Sequence, residues 1–189
     1  MVVFLDRDGT INIDYGYVGN PSQIALVPGS DQAVSLLKKI GARLAVVSNQ
    51  SGVGRGMYTN DDVKKCNQQL AKLLRVAAPE AKIDDYLWCP HLDKNDCSCR
   101  KPKTGMVDIQ KFEKYAPSAD WWVVGDKLSD IEFGEALGVL PFKRILVLTG
   151  EGESSLFAVR AKYPETLVFR NLLQAAKAIE LYYSLEEED

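Results

Sequence analysis

Five short apolar runs, Val2–Leu5, Arg43–Ser48, Tyr86–Cys89, Trp121–Gly125 and Arg144–Leu148, alternate with stretches long enough for helices, and nothing else in the chain restricts its fold as much. Short apolar runs flanked by helical spacing read as strands buried on both faces. Helical patterns fall near Ser30–Lys39, Asn60–Ala77, Gly105–Lys114, Ser129–Ala136, Ser154–Lys162 and Asn171–Tyr183. The alternation predicts an α/β fold, a three-layer α/β/α sandwich around a central, mainly parallel sheet. At 189 residues and 46% hydrophobic content the chain suits a single domain over residues 1–189.

In an open sheet of this kind, ligands gather beyond the carboxyl ends of the strands. The first run delivers Asp6 and Asp8, two positions apart, followed by Gly9. An Asp-Gly hairpin turn is the simpler reading of that pair taken alone. Two carboxylates in one small space, however, are costly to desolvate without a cation or a proton between them, which implies a divalent-metal or nucleophilic site. The second run ends at Ser48-Asn49-Gln50-Ser51-Gly52, the third leads to Arg100-Lys101, and the fourth ends at Gly125-Asp126-Lys127.

Together these loops supply what phosphate-ester hydrolysis needs. Asp6 is the candidate nucleophile and Asp8 the candidate general acid and base. Asp126 would complete a hard oxygen site for Mg²⁺ with Asp6 and the backbone carbonyl of Asp8. Ser48 and Asn49 offer donors for phosphoryl oxygens, and Lys101 a positive charge. Asp130, one turn after Asp126, either orients the site or is an ordinary acidic residue at a helix N-terminus.

Cys89-Pro90-His91 and Cys97-Ser98-Cys99 put four soft or borderline ligands within eleven residues, which suits tetrahedral Zn²⁺ in a loop at 89–99. A disulfide is the competing reading, disfavoured by the strain of bridging a CxC pair and by cysteine usage unlike a secreted framework. With all four positions filled, the zinc would be structural. It would hold Arg100 and Lys101 toward the pocket, where Arg100 can grip a second anionic group or sugar hydroxyls.

A net charge of −3 and a pI near 5.3 argue against a general nucleic-acid partner. No basic leader and no run of eighteen apolar residues is visible, so no membrane partner and a cytoplasmic location are expected. Ile11–Gly29 reads as a loop over the site rather than an inserted domain. The tail Glu186–Asp189 reads as solvated and frayed, Cys66 as a passive helical thiol, and Trp121 and Trp122 as packing residues. The segment Gly52–Gly56 lacks the order of a nucleotide loop, which leaves a mobile turn with Arg55 at its rim.

DRDGT at Asp6–Thr10, SNQSG at Ser48–Gly52, CRKP at Cys99–Pro102 and GDKLSD at Gly125–Asp130 resemble the four ordered motifs of haloacid dehalogenase (HAD) superfamily phosphatases. The CPH…CSCRKP segment resembles the branch of heptose-bisphosphate 7-phosphatases and histidinol-phosphate phosphatase domains. The resemblance implies a Rossmann-like HAD fold without an inserted cap domain and a Mg²⁺-dependent phosphatase passing through an aspartyl-phosphate on Asp6. It implies catalytic Asp6, Asp8, Ser48 and Lys101, magnesium at Asp6, Asp8 and Asp126, and structural zinc on Cys89, His91, Cys97 and Cys99.

The Asn12–Val18 and Asn49–Gly56 segments are more similar to the heptose group, the short zinc loop to the histidinol group. Weighting the substrate loops, the resemblance implies a small phosphorylated sugar, with the C7 phosphate of a heptose bisphosphate removed in nucleotide-heptose biosynthesis for lipopolysaccharide. Substrate would meet Asp14, Tyr15, Gly16, Tyr17, Ser48, Asn49, Gln50, Ser51, Arg100, Lys101 and Lys127, in a monomer. Histidinol phosphate is the alternative substrate. A non-catalytic zinc-loop interaction module would explain the cysteines and His91 but leave three aspartates at strand ends unexplained.

Overall fold

The computed structural model describes residues 1–186; Glu187–Asp189, most of the acidic tail, lie outside the described residues. Six strands, β1 (Val2–Leu5), β2 (Arg43–Asn49), β3 (Asp85–Cys89), β4 (Trp121–Gly125), β5 (Arg144–Val147) and β6 (Leu167–Phe169), form one sheet in the order β3-β2-β1-β4-β5-β6. Every pairing is parallel, and Leu5 lies between Val46 of β2 and Val124 of β4. The order reverses at β1, so the loops leaving β1 and β4 diverge and open a crevice at the carboxyl ends.

Successive side chains of β1 face opposite sides, and helices cover both. On one face Val3 and Leu5 pack with Leu44, Val46, Trp122 and Val124 against α1 (Ser30–Lys39), α3 (Asn60–Ala77) and α7 (Leu172–Glu186). On the other, Val2 and Phe4 pack with Val47, Trp121 and Val123 against α4 (Ile109–Glu113) and α5 (Leu128–Ala136). Helix α6 (Gly152–Lys162) joins that layer through Val159, which packs with Ile131 and Leu146. The two tryptophans thus part company: Trp121 packs edge-on at 5.4 Å from Phe4, and Trp122 at 5.4 Å from Tyr182 of α7.

Three elements depart from the sequence expectation. The helix expected over Gly105–Lys114 is only α4, because the Gly105 N–H is spent on the Ser98 carbonyl at 2.9 Å and Asp108 caps the Lys111 N–H at 3.1 Å. The start of the segment Gly52–Gly56, read as a mobile turn, belongs to the one-turn helix α2 (Ser51–Gly54), closed by Val53 N–H to Gln50 O at 3.1 Å. Strand β6 is three residues long and carries no periodicity to detect. Cys66, read as a passive helical thiol, is buried on the inner face of α3 with Leu70 and Leu74. Between β1 and α1 the chain makes one short 3₁₀ turn, Pro21–Gln23, and two isolated bridges, and no cap domain is inserted among the described residues.

Candidate active site

Strand β1 stops where its last apolar pair is covered, and the next residue, Asp6, still pairs through its N–H with the Val124 carbonyl at 2.9 Å. Its carboxylate is therefore fixed at the crevice floor. Lys101, 95 positions later, reaches it: Nζ lies 2.6 Å from Asp6 Oδ1 and 2.6 Å from Asp130 Oδ1, and donates to the Val47 carbonyl at 2.6 Å. Asn49 at the end of β2 holds the Lys101 backbone from both sides, accepting its N–H at 3.0 Å and donating to its carbonyl at 3.1 Å.

Asp6, Asp126 and Asp130 bring oxygens within 4.8 Å of one another, all buried. Asp126 Oδ2 accepts the Glu151 N–H at 2.8 Å, while Oδ1 is buried with no hydrogen-bond partner. Burial, and then the charges of Asp6 and Asp130, push the Asp126 carboxyl up to about 8. Burial raises Asp6 to about 6 against the pull of Lys101. Burial alone would lower the Lys101 ammonium, yet Asp130 and Asp6 hold it above its ordinary value. An orphaned carboxylate oxygen among acids that resist ionising fits a hard divalent cation bound through oxygen. Gly9 and Gly150 keep this space open, since a Cβ on either would overlap Asp126 Oδ2.

Asp8 stands apart from that cluster. Arg7, buried, grips its carboxylate with Nε and Nη2 at 2.9–3.2 Å and is itself anchored to Asn67 Oδ1 of α3 at 3.1 Å. Asn12 Nδ2 donates to Asp8 Oδ1 at 2.9 Å, and Gln50 Nε2 to Oδ2 at 2.8 Å. Asp130, not the Asp8 side chain, is the third carboxylate beside Asp6 and Asp126.

A cleft of about 360 Å³ opens above, lined by Asp8, Asp14, Gly16, Tyr17, Asn49, Gln50, Ser51, Tyr58, Arg100, Lys127, Ser129 and Glu151. It gathers most of the residues expected around a substrate. Tyr15 does not line it and is 61% exposed, while Ser48 and Lys101 are buried beneath. Lys127 pairs with Asp14 at 3.3 Å and Glu151 at 3.2 Å; burial would lower its ammonium, but Asp6, Asp126, Asp14 and Glu151 hold it raised. The Arg55 guanidinium lies 5.2 Å over the Tyr17 ring at the rim. Tyr58, Ser129 and Glu151 were not anticipated: Tyr58 lies beyond the SNQSG motif, Ser129 sits within GDKLSD but was not singled out there, and Glu151 follows β5, whose end carried no acid or base cluster.

Cys89 Sγ, His91 Nδ1, Cys97 Sγ and Cys99 Sγ converge, with adjacent pairs 3.1–3.6 Å apart and no disulfide among the four free cysteines. Three thiols and one imidazole at that spacing fit a closed tetrahedral Zn²⁺ site. Arg100 is tied to this loop, Nη1 donating to the His91 carbonyl at 3.5 Å and Nε lying 3.5 Å from Asp93 Oδ1. No described helix is long and apolar enough to cross a membrane.

A family model described as HAD-hydrolase-like matches residues 98–175. The D-glycero-beta-D-manno-heptose-1,7-bisphosphate 7-phosphatase of Neisseria meningitidis is 38% identical over 94% of this chain and 94% of its own. The Escherichia coli K12 protein of the same name is 35% identical over 79% of this chain and 80% of its own. Among solved structures, the D,D-heptose 1,7-bisphosphate phosphatase of B. bronchiseptica, complexed with magnesium and phosphate, superposes with a TM-score of 0.84 at 29% identity, over 96% of this chain and 98% of that one. That of Burkholderia thailandensis gives 0.67 at 31% identity, over 94% and 97%.

Proposed function

The chain belongs to the HAD-like hydrolases, within the family of the D-glycero-beta-D-manno-heptose-1,7-bisphosphate 7-phosphatases, and on that premise we propose that it hydrolyses the C7 phosphate of a heptose 1,7-bisphosphate through a phosphorylated Asp6. One observation carries the reading: Asp6 sits with Lys101 Nζ at 2.6 Å and has carboxylate oxygens of Asp126 and Asp130 within 4.8 Å. A carboxylate so flanked is held still and its charge is compensated, as an attacking oxygen needs.

In the proposed sequence Asp6 attacks phosphorus in line while Lys101 and the Ser48 hydroxyl hold phosphoryl oxygens. Asp8 gives its proton to the departing C7 oxygen, then takes one from the water that cleaves the aspartyl-phosphate. Mg²⁺, held by Asp6, Asp126 and the Asp8 carbonyl with Asp130 beside them, would offset the charge of the transferring phosphoryl group. Asn49, Ser51, Lys127, Asp14, Gly16 and Tyr17 line the way in and would contact the sugar. Arg100 would meet the second phosphate.

The loop at 89–99 would carry structural Zn²⁺ and keep Arg100 and Lys101 in place, at small entropic cost on binding. Three cysteines that converge with His91 instead of pairing in disulfides support a reducing compartment, the cytoplasm. Phosphate release from a panel of heptose bisphosphate, histidinol phosphate and fructose bisphosphate at equal concentration tests the substrate. Heptose bisphosphate should dominate; a dominant histidinol phosphate signal would overturn the assignment.

A further inference from the structure

Gln50 lies at the cleft but is 2% exposed, and its amide is fully used by the protein. Nε2 donates to Asp8 Oδ2 at 2.8 Å and to Ser48 Oγ at 2.7 Å. Oε1 accepts the Tyr58 hydroxyl at 2.9 Å. An amide has two donors and one acceptor oxygen, so this orientation is the one that satisfies both neighbours. Turned by 180°, it would point Oε1 at the Asp8 carboxylate and leave that group facing a lone pair.

The acceptor-only Asp8 carboxylate sets this orientation, and the Tyr58 hydroxyl holds it by donating to Oε1. The Tyr58 side chain packs closely on the backbone at two places: a Cβ on Gly52 of α2 would overlap the ring and hydroxyl, and one on Gly19 of the first loop would overlap the base of the ring. Burial pushes the phenol up to about 12, so it stays a donor throughout the neutral range. Because Ser48 Oγ accepts from Gln50, its own O–H proton is left to donate elsewhere, toward a phosphoryl oxygen.

We propose that Tyr58 is a positioning residue that acts through Gln50, fixing the amide so that one side chain aims both the Asp8 carboxylate and the Ser48 hydroxyl at the reacting phosphate. This rests on the phosphatase reading above. It also changes the part expected of Gln50, from a substrate contact to a shared support for the acid/base group and a phosphoryl donor. Substrate itself need touch neither Gln50 nor Tyr58.

The test is a double-mutant cycle on the full-length, Mg²⁺-loaded enzyme with heptose bisphosphate, comparing wild type, Tyr58→Phe, Gln50→Ala and the double variant. Tyr58→Phe keeps the ring against Gly52 and Gly19 and should lower kcat about three- to tenfold with KM within twofold, the effect of losing one buried hydrogen bond. Gln50→Ala should lower kcat about 30- to 100-fold. The double variant should be no slower than Gln50→Ala alone, a coupling that loss of general stability would not produce. Multiplied effects in the double variant, or a Tyr58→Phe enzyme with unchanged kcat, would overturn the relay. A wild-type enzyme that releases no phosphate from any member of the panel would instead overturn the phosphatase reading, and the relay with it.

Discussion

Lys101 Nζ lies 2.6 Å from Asp6 Oδ1 across 95 residues of chain, both groups buried, and this ion pair joins the first and third motifs into one site. The pair is bought by burial of a cation that has three acceptors, the Asp6 and Asp130 carboxylates and the Val47 carbonyl. Removing it leaves two buried carboxylates facing each other.

Lys101→Met should therefore cost on two counts. Phosphate release should fall by at least about a hundredfold through lost phosphoryl stabilisation. Chemical denaturation at neutral pH should show a loss of about 3–5 kcal/mol, the usual cost of breaking one partner out of a buried pair. An active, fully stable Lys101→Met protein would remove Lys101 from the mechanism.

The metal-free protein should lose stability as pH rises. Asp6 at about 6 and Asp126 at about 8 lie above the ordinary carboxylate value near 3.8, so between these limits the folded state holds protons the unfolded chain has released. Their contribution is complete below pH 4 and is lost as pH climbs through 6 and 8. In EDTA the melting temperature should fall over this range, Mg²⁺ should restore it most at the alkaline end, and Asp126→Asn should flatten the profile. A profile for the EDTA-treated protein that rises from pH 5 to 8 would contradict this.

Gly150→Ala should weaken Mg²⁺ binding at least about tenfold. Gly150 has φ +58°, which costs an alanine roughly 1 kcal/mol, and its Cβ would overlap the Asp126 carboxylate. Calorimetric titration of the metal checks it; unchanged affinity would mean that the cation does not sit beside Asp126.

Much of this was legible in the sequence, for identifiable reasons. β1 and β4 appear at their expected limits because fully buried strands are apolar from end to end, and α3 because Thr59 and Asp62 form a reciprocal cap before its apolar spacing begins. Asp6, Asp8 and Asp126 were singled out because each follows an apolar run at the same sheet end, Ser48 because it closes the second run, and Lys101 because the third run leads into its loop. The rest depended on tertiary convergence. Nothing near Asp130 marks it as a partner of Lys101, and nothing near Tyr58 marks it as a partner of Gln50. Helix α2 was hidden by its two glycines, which lower helix propensity while one of them makes room for Tyr58.

Chelation at the cysteine loop should act on the site without unfolding the sheet. One zinc per chain is expected by elemental analysis, bound by Cys89, His91, Cys97 and Cys99. Cys99→Ser should abolish that zinc and raise KM severalfold, since Arg100 and Lys101 follow directly, while the far-ultraviolet dichroism stays that of the wild type. Full activity in the zinc-free variant would separate the loop from the pocket.

The most direct test of the central claim is a rapid acid quench during turnover of heptose bisphosphate labelled with ³²P at C7, followed by peptide mapping. The label should appear transiently on Asp6, be labile to hydroxylamine, and vanish in Asp6→Asn together with turnover. Label on another residue, or steady turnover by Asp6→Asn, would contradict the account.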